Sequence, residues 1–167
     1  NDKVALERVV IEALSLKGEF EKPVYIRFEE EKCAHSRASK SGCSRCLDLC
    51  PTNAIKPNGE SVIIDPFVCA GCGSCSAVCP SGAAAYDDPP FSFTLKRIQN
   101  LRSTFGKYER KIEPRLLFVD NDFGMELITL CARFGRGLPA DLIPMDIPNI
   151  ELLSHAEILA AFTSGFS

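Results

Sequence analysis

Val68-Cys69-Ala-Gly-Cys72-Gly-Ser-Cys75-Ser-Ala-Val-Cys79-Pro80 decides how this chain folds. Four cysteines separated by two, two and three residues and closed by a proline have the spacing that holds a [4Fe-4S] cubane. Cysteines at every third position of a turning backbone present three sulfurs to one side. The fourth starts a short helical turn that the proline stops, and it is carried away from the other three. Upstream, Cys43-Ser-Arg-Cys46-Leu-Asp-Leu-Cys50-Pro51 repeats the last three cysteines and the proline, with Cys33 ten positions before it. The gap Ala34 to Gly42 holds nine residues where two are expected, so the first run is the same motif with an insertion.

Because the fourth cysteine of each run points to the opposite half, one cluster is expected on Cys33, Cys43, Cys46 and Cys79. The other is expected on Cys69, Cys72, Cys75 and Cys50. Gly42, Gly71, Gly73 and Ser74 are small enough to let backbone amides approach the sulfurs and stabilise their charge. Disulfides do not account for the repeated Cys-Pro ends, and a zinc on Cys43, Cys46, Cys69 and Cys72 leaves four cysteines of the two runs without a role. His35 is the alternative to Cys33 as a ligand, cysteine being the commoner choice. The insertion carries His35, Arg37 and Lys40, with Arg45 just beyond. It is either a solvated loop or a positive lip that raises the first cluster's potential and receives an acidic partner.

The 167 residues suit one or two domains, and 46% hydrophobic content suits a packed core. No apolar run approaches the length of a membrane span. A net charge of −3 gives no general attraction to nucleic acid. Thiols at metal-ligand spacing, with no leader-like stretch, point to a reducing, cytoplasmic setting.

Around the cysteines, apolar residues from Val4 to Leu16 predict an amphipathic helix packed on the core, with Asp2 as its N-cap and Gly18 as its stop. Pro23–Glu29 reads as a strand. Asn58-Gly59 predicts a hairpin pairing Ala54-Ile55 with Val62–Ile64. The counterpart of that exit, Ser81–Tyr86, follows the second run, and Cys50-Pro-Thr-Asn-Ala-Ile55 against Cys79-Pro-Ser-Gly-Ala-Ala84 predicts a pseudo-two-fold repeat. Asp87-Asp-Pro-Pro90 marks a boundary, after which Thr94 caps a basic helix to about Phe105, with Lys96, Arg97 and Arg102 beside a stripe of Leu95, Ile98, Leu101 and Phe105. From Arg115 the pattern is strand (to Asp120), helix (Gly124 to Phe134), strand (Asp141 to Asp146) and helix (from Ser154, with Glu157 completing a capping box). This is βαβα with a parallel sheet implied. Cys131, amid Leu127, Ile128 and Leu130, reads as an inert buried thiol. The strand end from Asp120 to Gly124 is where such sheets bind ligands, but no phosphate-binding glycine motif follows.

The expected architecture is therefore α+β. Residues 1–32 lead in, residues 33–88 form a dicluster domain, residues 89–112 form a linker and basic helix, and residues 113–167 form a partial flavodoxin- or Rossmann-like βαβα segment of a longer polypeptide. The cysteine region resembles dicluster bacterial-type ferredoxins over about residues 33–86. More broadly, Cys33-Ala-His-Ser36, Gly42–Pro51, Val68–Cys75 and Ala132-Arg-Phe-Gly-Arg-Gly-Leu-Pro-Ala140 look like proteobacterial 4Fe-4S binding proteins associated with formate dehydrogenase systems. The tail is similar in pattern to the delta subunit of methyl-viologen-reducing hydrogenase, which has cysteines where this chain has Asp120-Asn121-Asp122, so no third cluster is expected. The resemblance implies two [4Fe-4S] clusters and a redox protein partner or larger complex with no small-molecule substrate; the closed ligand sets and the lack of a Ser/His/Asp or paired-carboxylate arrangement in the sequence give the expectation of no catalysis by this chain alone. The alternative is an iron-sulfur sensor that gates a partner interaction. Two coupled clusters favour transfer.

Overall fold

The apolar spacing near the start does form a helix, Lys3–Ser15 (α1), but not one packed on a core. None of its residues is buried, and Leu6, Val9, Val10, Ile11 and Leu14 are exposed. Helical periodicity guarantees an apolar face; it does not supply the surface that covers it. The computed structural model describes residues 3–37, 40–108 and 112–167, with nothing said of the side chains of residues 37, 40 and 41. The N-cap expected at Asp2 thus lies outside the described residues.

The predicted strand shortens to Ile26–Phe28 (β1), and the insertion folds back on itself as Ser36–Arg37 (β2) against Lys40–Ser41 (β3). The two cysteine runs then give matching units. Arg45–Leu49 (α2) leads to Ile55–Asn58 (β4), which pairs antiparallel with Ser61–Ile64 (β5). Ser74–Val78 (α3) leads to Ala84–Tyr86 (β6). Both short helices end at the cysteine preceding proline, where the chain turns extended at φ −71° for Cys50 and φ −72° for Cys79. The hairpin forms one residue later than the Asn-Gly pair suggests. Asn58 pairs with Ser61, and the turn is Gly59-Glu60, with Gly59 at φ +62° supplying the left-handed first position.

The second exit has no hairpin partner of its own. β6 pairs antiparallel with β1, Ile26 opposite Tyr86 and Phe28 opposite Ala84, and the bonds Glu29 N–H to Ala83 O and Asp87 N–H to Tyr25 O extend the ladder. Ile26, Ile55, Val62, Cys75 and Ala84 make one apolar core, against which Tyr25, Phe28, Ile64 and most of the other cysteines of the runs pack.

The basic helix is longer than expected. Phe91–Tyr108 (α4) begins directly after Pro90, because the proline pair already ends the preceding extended chain and Thr94 is not needed as a cap. Ile98, fully buried, lies on its inner face with Leu95 and Leu101. Arg115–Asp120 (β7) and Leu142–Ile147 (β8) run parallel in register, Arg115 opposite Leu142 and Asp120 opposite Ile147. Phe123–Phe134 (α5) joins them, and His155–Ser164 (α6) returns along α4. Met145 and Ile147 of β8, Ala160 and Ala161 of α6, and Phe166 close this second core around Ile98.

The predicted capping box is present. Ser154 accepts from the Ala156 N–H, and Glu157 accepts from the Ser154 N–H at 2.9 Å. Two basic side chains of α4 hold the tail. Arg97 donates to the Asp146 carbonyl at 2.9 Å and to its carboxylate at 2.5 Å, and Arg102 donates to the Gly165 carbonyl at 2.8 Å. Cys131 is exposed, contrary to the expectation of a buried thiol. α5 buries none of its residues, because a two-stranded sheet offers too narrow a surface to cover a helical stripe. No helix among the described residues is long and apolar enough to cross a membrane.

Candidate metal centre

The nine-residue insertion closes on itself through backbone bonds at its neck. Gly42 N–H donates to the His35 carbonyl at 2.7 Å, and Cys43 N–H donates to the Ala34 carbonyl at 3.0 Å. This lets Cys33 and Cys43 approach as if only a short loop separated them. With Cys46 and with Cys79 from the second run, they line one cavity, which Phe28, Val62 and Ala84 also border. The Cys46 thiol is pushed up by burial first and then by the neighbouring Cys43, Cys79 and Cys33. Those are the residues that the spacing expects on one cluster.

His35 borders this cavity too, and its Nδ1 donates to the Cys43 carbonyl at 2.9 Å and so braces the same neck. Arg45 also borders the cavity. The side chains of Arg37 and Lys40, the rest of the expected positive lip, lie outside the described residues. At the neck itself, a Cβ on Gly42 meets the Ala34 carbonyl oxygen at 2.7 Å, which neither backbone segment can relieve alone. Gly42→Ala is therefore expected to open the neck and separate Cys33 from Cys43. The variant should retain about four irons of eight, measured by iron analysis together with loss of one electron paramagnetic resonance signal. Full iron content would show that the neck is dispensable.

In the other half, burial pushes the Cys75 thiol up to about 12, with further upward pressure from Cys69, Cys72 and, more weakly, Cys46. The metal-free chain therefore holds Cys75 protonated, and loading the site must displace that proton. Cys46 packs against the same core as Cys75, and α2 lies against α3, so the two cysteine runs are neighbours. Tyr86 stacks on Tyr25 at 6.4 Å, its phenol is raised by burial, then by Asp88, Tyr25, Cys69 and Cys72, and the two rings lie against Gly73 and Gly71 of the second run.

Cys50 and Cys79 share an environment that the sequence reading did not single out. Burial, the largest influence on each, pushes the thiol up, and hydrogen bonds outweigh it in both cases. Cys50 Sγ accepts from the Ala54 N–H at 3.3 Å and lies 3.7 Å from the Thr52 hydroxyl. Cys79 Sγ accepts from the Ala84 N–H at 3.5 Å and lies 3.7 Å from the Ser81 hydroxyl. The visible Cys-Pro-Thr and Cys-Pro-Ser repeat was the available signal. Gly71, at φ +75°, lies against the Tyr25 ring, and Gly73 makes room for Leu152. The amides of Ala54 and Ala84 point at the sulfurs of Cys50 and Cys79.

Eight thiols in the two runs, six of them packed with the aliphatic side chains of one core and two met by N–H donors, are the donor set that [4Fe-4S] clusters take. Residues 41–83 match the family described as the 4Fe-4S dicluster domain, and the domain's cofactors are two [4Fe-4S] clusters. The chain is 42% identical over 43 residues to a protein named Ferredoxin 7Fe from Hydrogenibacillus schlegelii, covering 26% of this chain and 55% of that one. A ferredoxin of Saccharopolyspora erythraea is 31% identical over 81 residues, covering 41% of this chain and 76% of its own. Hydrogenase-4 component A of Escherichia coli is 42% identical over 38 residues, 23% of this chain and 18% of that protein. The chain thus spans little more than half of the first of these relatives and a small part of the third.

Proposed function

Since this chain belongs to the ferredoxins with a 4Fe-4S dicluster domain, we propose that it is the electron-carrying module of a larger redox assembly. Its cysteines hold one cluster through Cys33, Cys43, Cys46 and Cys79 and the other through Cys69, Cys72, Cys75 and Cys50. Each cluster takes up and releases one electron, and the chain performs no chemistry on a substrate. The protein's part is to fix the sulfurs, exclude water and balance charge. Ile26, Ile55, Val62 and Ala84 form the dry wall, and the Ala54 and Ala84 amides partly neutralise the sulfurs they face.

The observation that carries this reading is the position of Cys79. It belongs to the second run, yet it lines one cavity with Cys33, Cys43 and Cys46 of the first, which supports crossed ligation and two clusters close enough to exchange electrons. The likeness to Hydrogenase-4 component A supports membership of a larger assembly. The residues Cys33-Ala-His-Ser36 and Ala132–Ala140 favour a formate dehydrogenase system as that assembly. The tail, held to the cluster domain by the turn at Ile150–Leu152, serves in this reading as its attachment. Iron and sulfide analysis of anaerobically prepared protein tests the core of the proposal: about eight of each per chain are expected by the ligation rule. One zinc and no sulfide would sink it.

A further inference from the structure

Ser74 has one hydroxyl hydrogen and two acceptors within reach. Its Oγ lies 2.6 Å from Glu151 Oε2 and 3.4 Å from Cys72 Sγ. Glu151 comes from the tail, 77 positions away in sequence. Its place is fixed from two sides. The Asn149 side chain accepts from the Glu151 N–H at 2.9 Å, and the neighbouring Leu152 fills the space where Gly73 has no Cβ, 1.9 Å from where that atom would stand. A carboxylate at the shorter distance takes the hydrogen, since bonds to charged acceptors are the stronger ones. Cys72 then goes without the Ser74 hydrogen.

We infer that Glu151 is a positioning residue for electron transfer. By drawing the Ser74 hydrogen away from Cys72, it holds the potential of the second cluster down and makes the tail part of that cluster's tuning. The inference rests on Cys72 being a ligand of that cluster. Hydrogen bonds to ligand sulfurs favour the reduced, more negative form, so withholding one favours the oxidised form. On reduction, one electron enters from the donor, no bond to the protein breaks, and the hydrogen stays on Ser74 Oγ. The sulfur, now more electron-rich, competes better for it, so reduction loosens the bond to the tail.

The test uses the full chain loaded with both clusters, reduced stepwise with dithionite and followed by electron paramagnetic resonance. Glu151→Ala is expected to raise the midpoint of the second cluster and leave the first unmoved, the unmoved signal also reporting that the fold is intact. In the Ser74→Ala background the same change at Glu151 should shift the midpoint much less, because no hydroxyl remains to turn. Equal shifts in both backgrounds, no shift, or equal movement of both clusters would overturn the inference. Cys72→Ala tells a failure here from a failure of the ligand assignment: if both clusters survive that change, the assignment is what fails.

Discussion

Cys79→Ala is expected to destroy the cluster built on Cys33, Cys43 and Cys46, although Cys79 lies in the other run. Cys50→Ala should do the same to the cluster on Cys69, Cys72 and Cys75. Each variant should lose about half its iron by the four-ligand rule. The lost signal should be that of the sequence-distant half, because Cys79 lines the cavity of Cys33, Cys43 and Cys46, which the other cysteines of its own run do not border. Spectra in which each change removes its sequence-local cluster would refute crossed ligation. Alanine at either position also leaves an amide without its sulfur acceptor, Ala84 N–H in one case and Ala54 N–H in the other, which adds to the damage without changing which cluster is lost.

The second large effect is expected at Gly71. A Cβ there would lie 2.7 to 2.9 Å from three atoms of the Tyr25 ring, at a backbone φ of +75°. The ring cannot simply swing aside, because it stacks on Tyr86 and its backbone carbonyl accepts from the Asp87 N–H. Gly71→Ala therefore combines left-handed strain of about 1–2 kcal/mol with overpacking of about 1–3 kcal/mol. It should lower the unfolding midpoint and loosen the cluster that Cys69 and Cys72 flank. Gly59→Ala is the control. It has a similar φ of +62° and nothing within 4 Å, so it should show the strain alone. Equal losses for the two variants in denaturant titration would mean that the Tyr25 ring exerts no constraint.

Most of the metal site is legible in the sequence because ligand spacing is local chemistry. Cysteines two and three residues apart must share a turn, and the proline after each fourth cysteine ends the helix where Cys50 and Cys79 leave it. The capping box at Ser154 and Glu157 is legible for the same reason, all its atoms lying within one turn. Elements whose meaning depends on a distant surface are not. The apolar stripe of α1 has nothing in its own residues to say whether a core lies opposite. Cys131 reads as buried until the width of the sheet beneath α5 is known. The meeting of Ser74 with Glu151 has no sequence signal at all, since it depends on how the turn at Ile150–Leu152 lands on the cluster loop.

The two parallel strands leave a final consequence in their outer margins. Among the described residues no third strand pairs with either. β8 carries Pro144 at its middle, opposite Leu117, and a proline there must turn its missing donor away from β7. That margin lacks a hydrogen another strand would need, and it is blunted against edge-to-edge association. β7, reading Arg-Leu-Leu-Phe-Val-Asp, has no such interruption. The sheet is asymmetric as a template: a further extended segment, from this polypeptide or from another, meets a proline at the middle of β8 and none from Arg115 to Asp120 of β7.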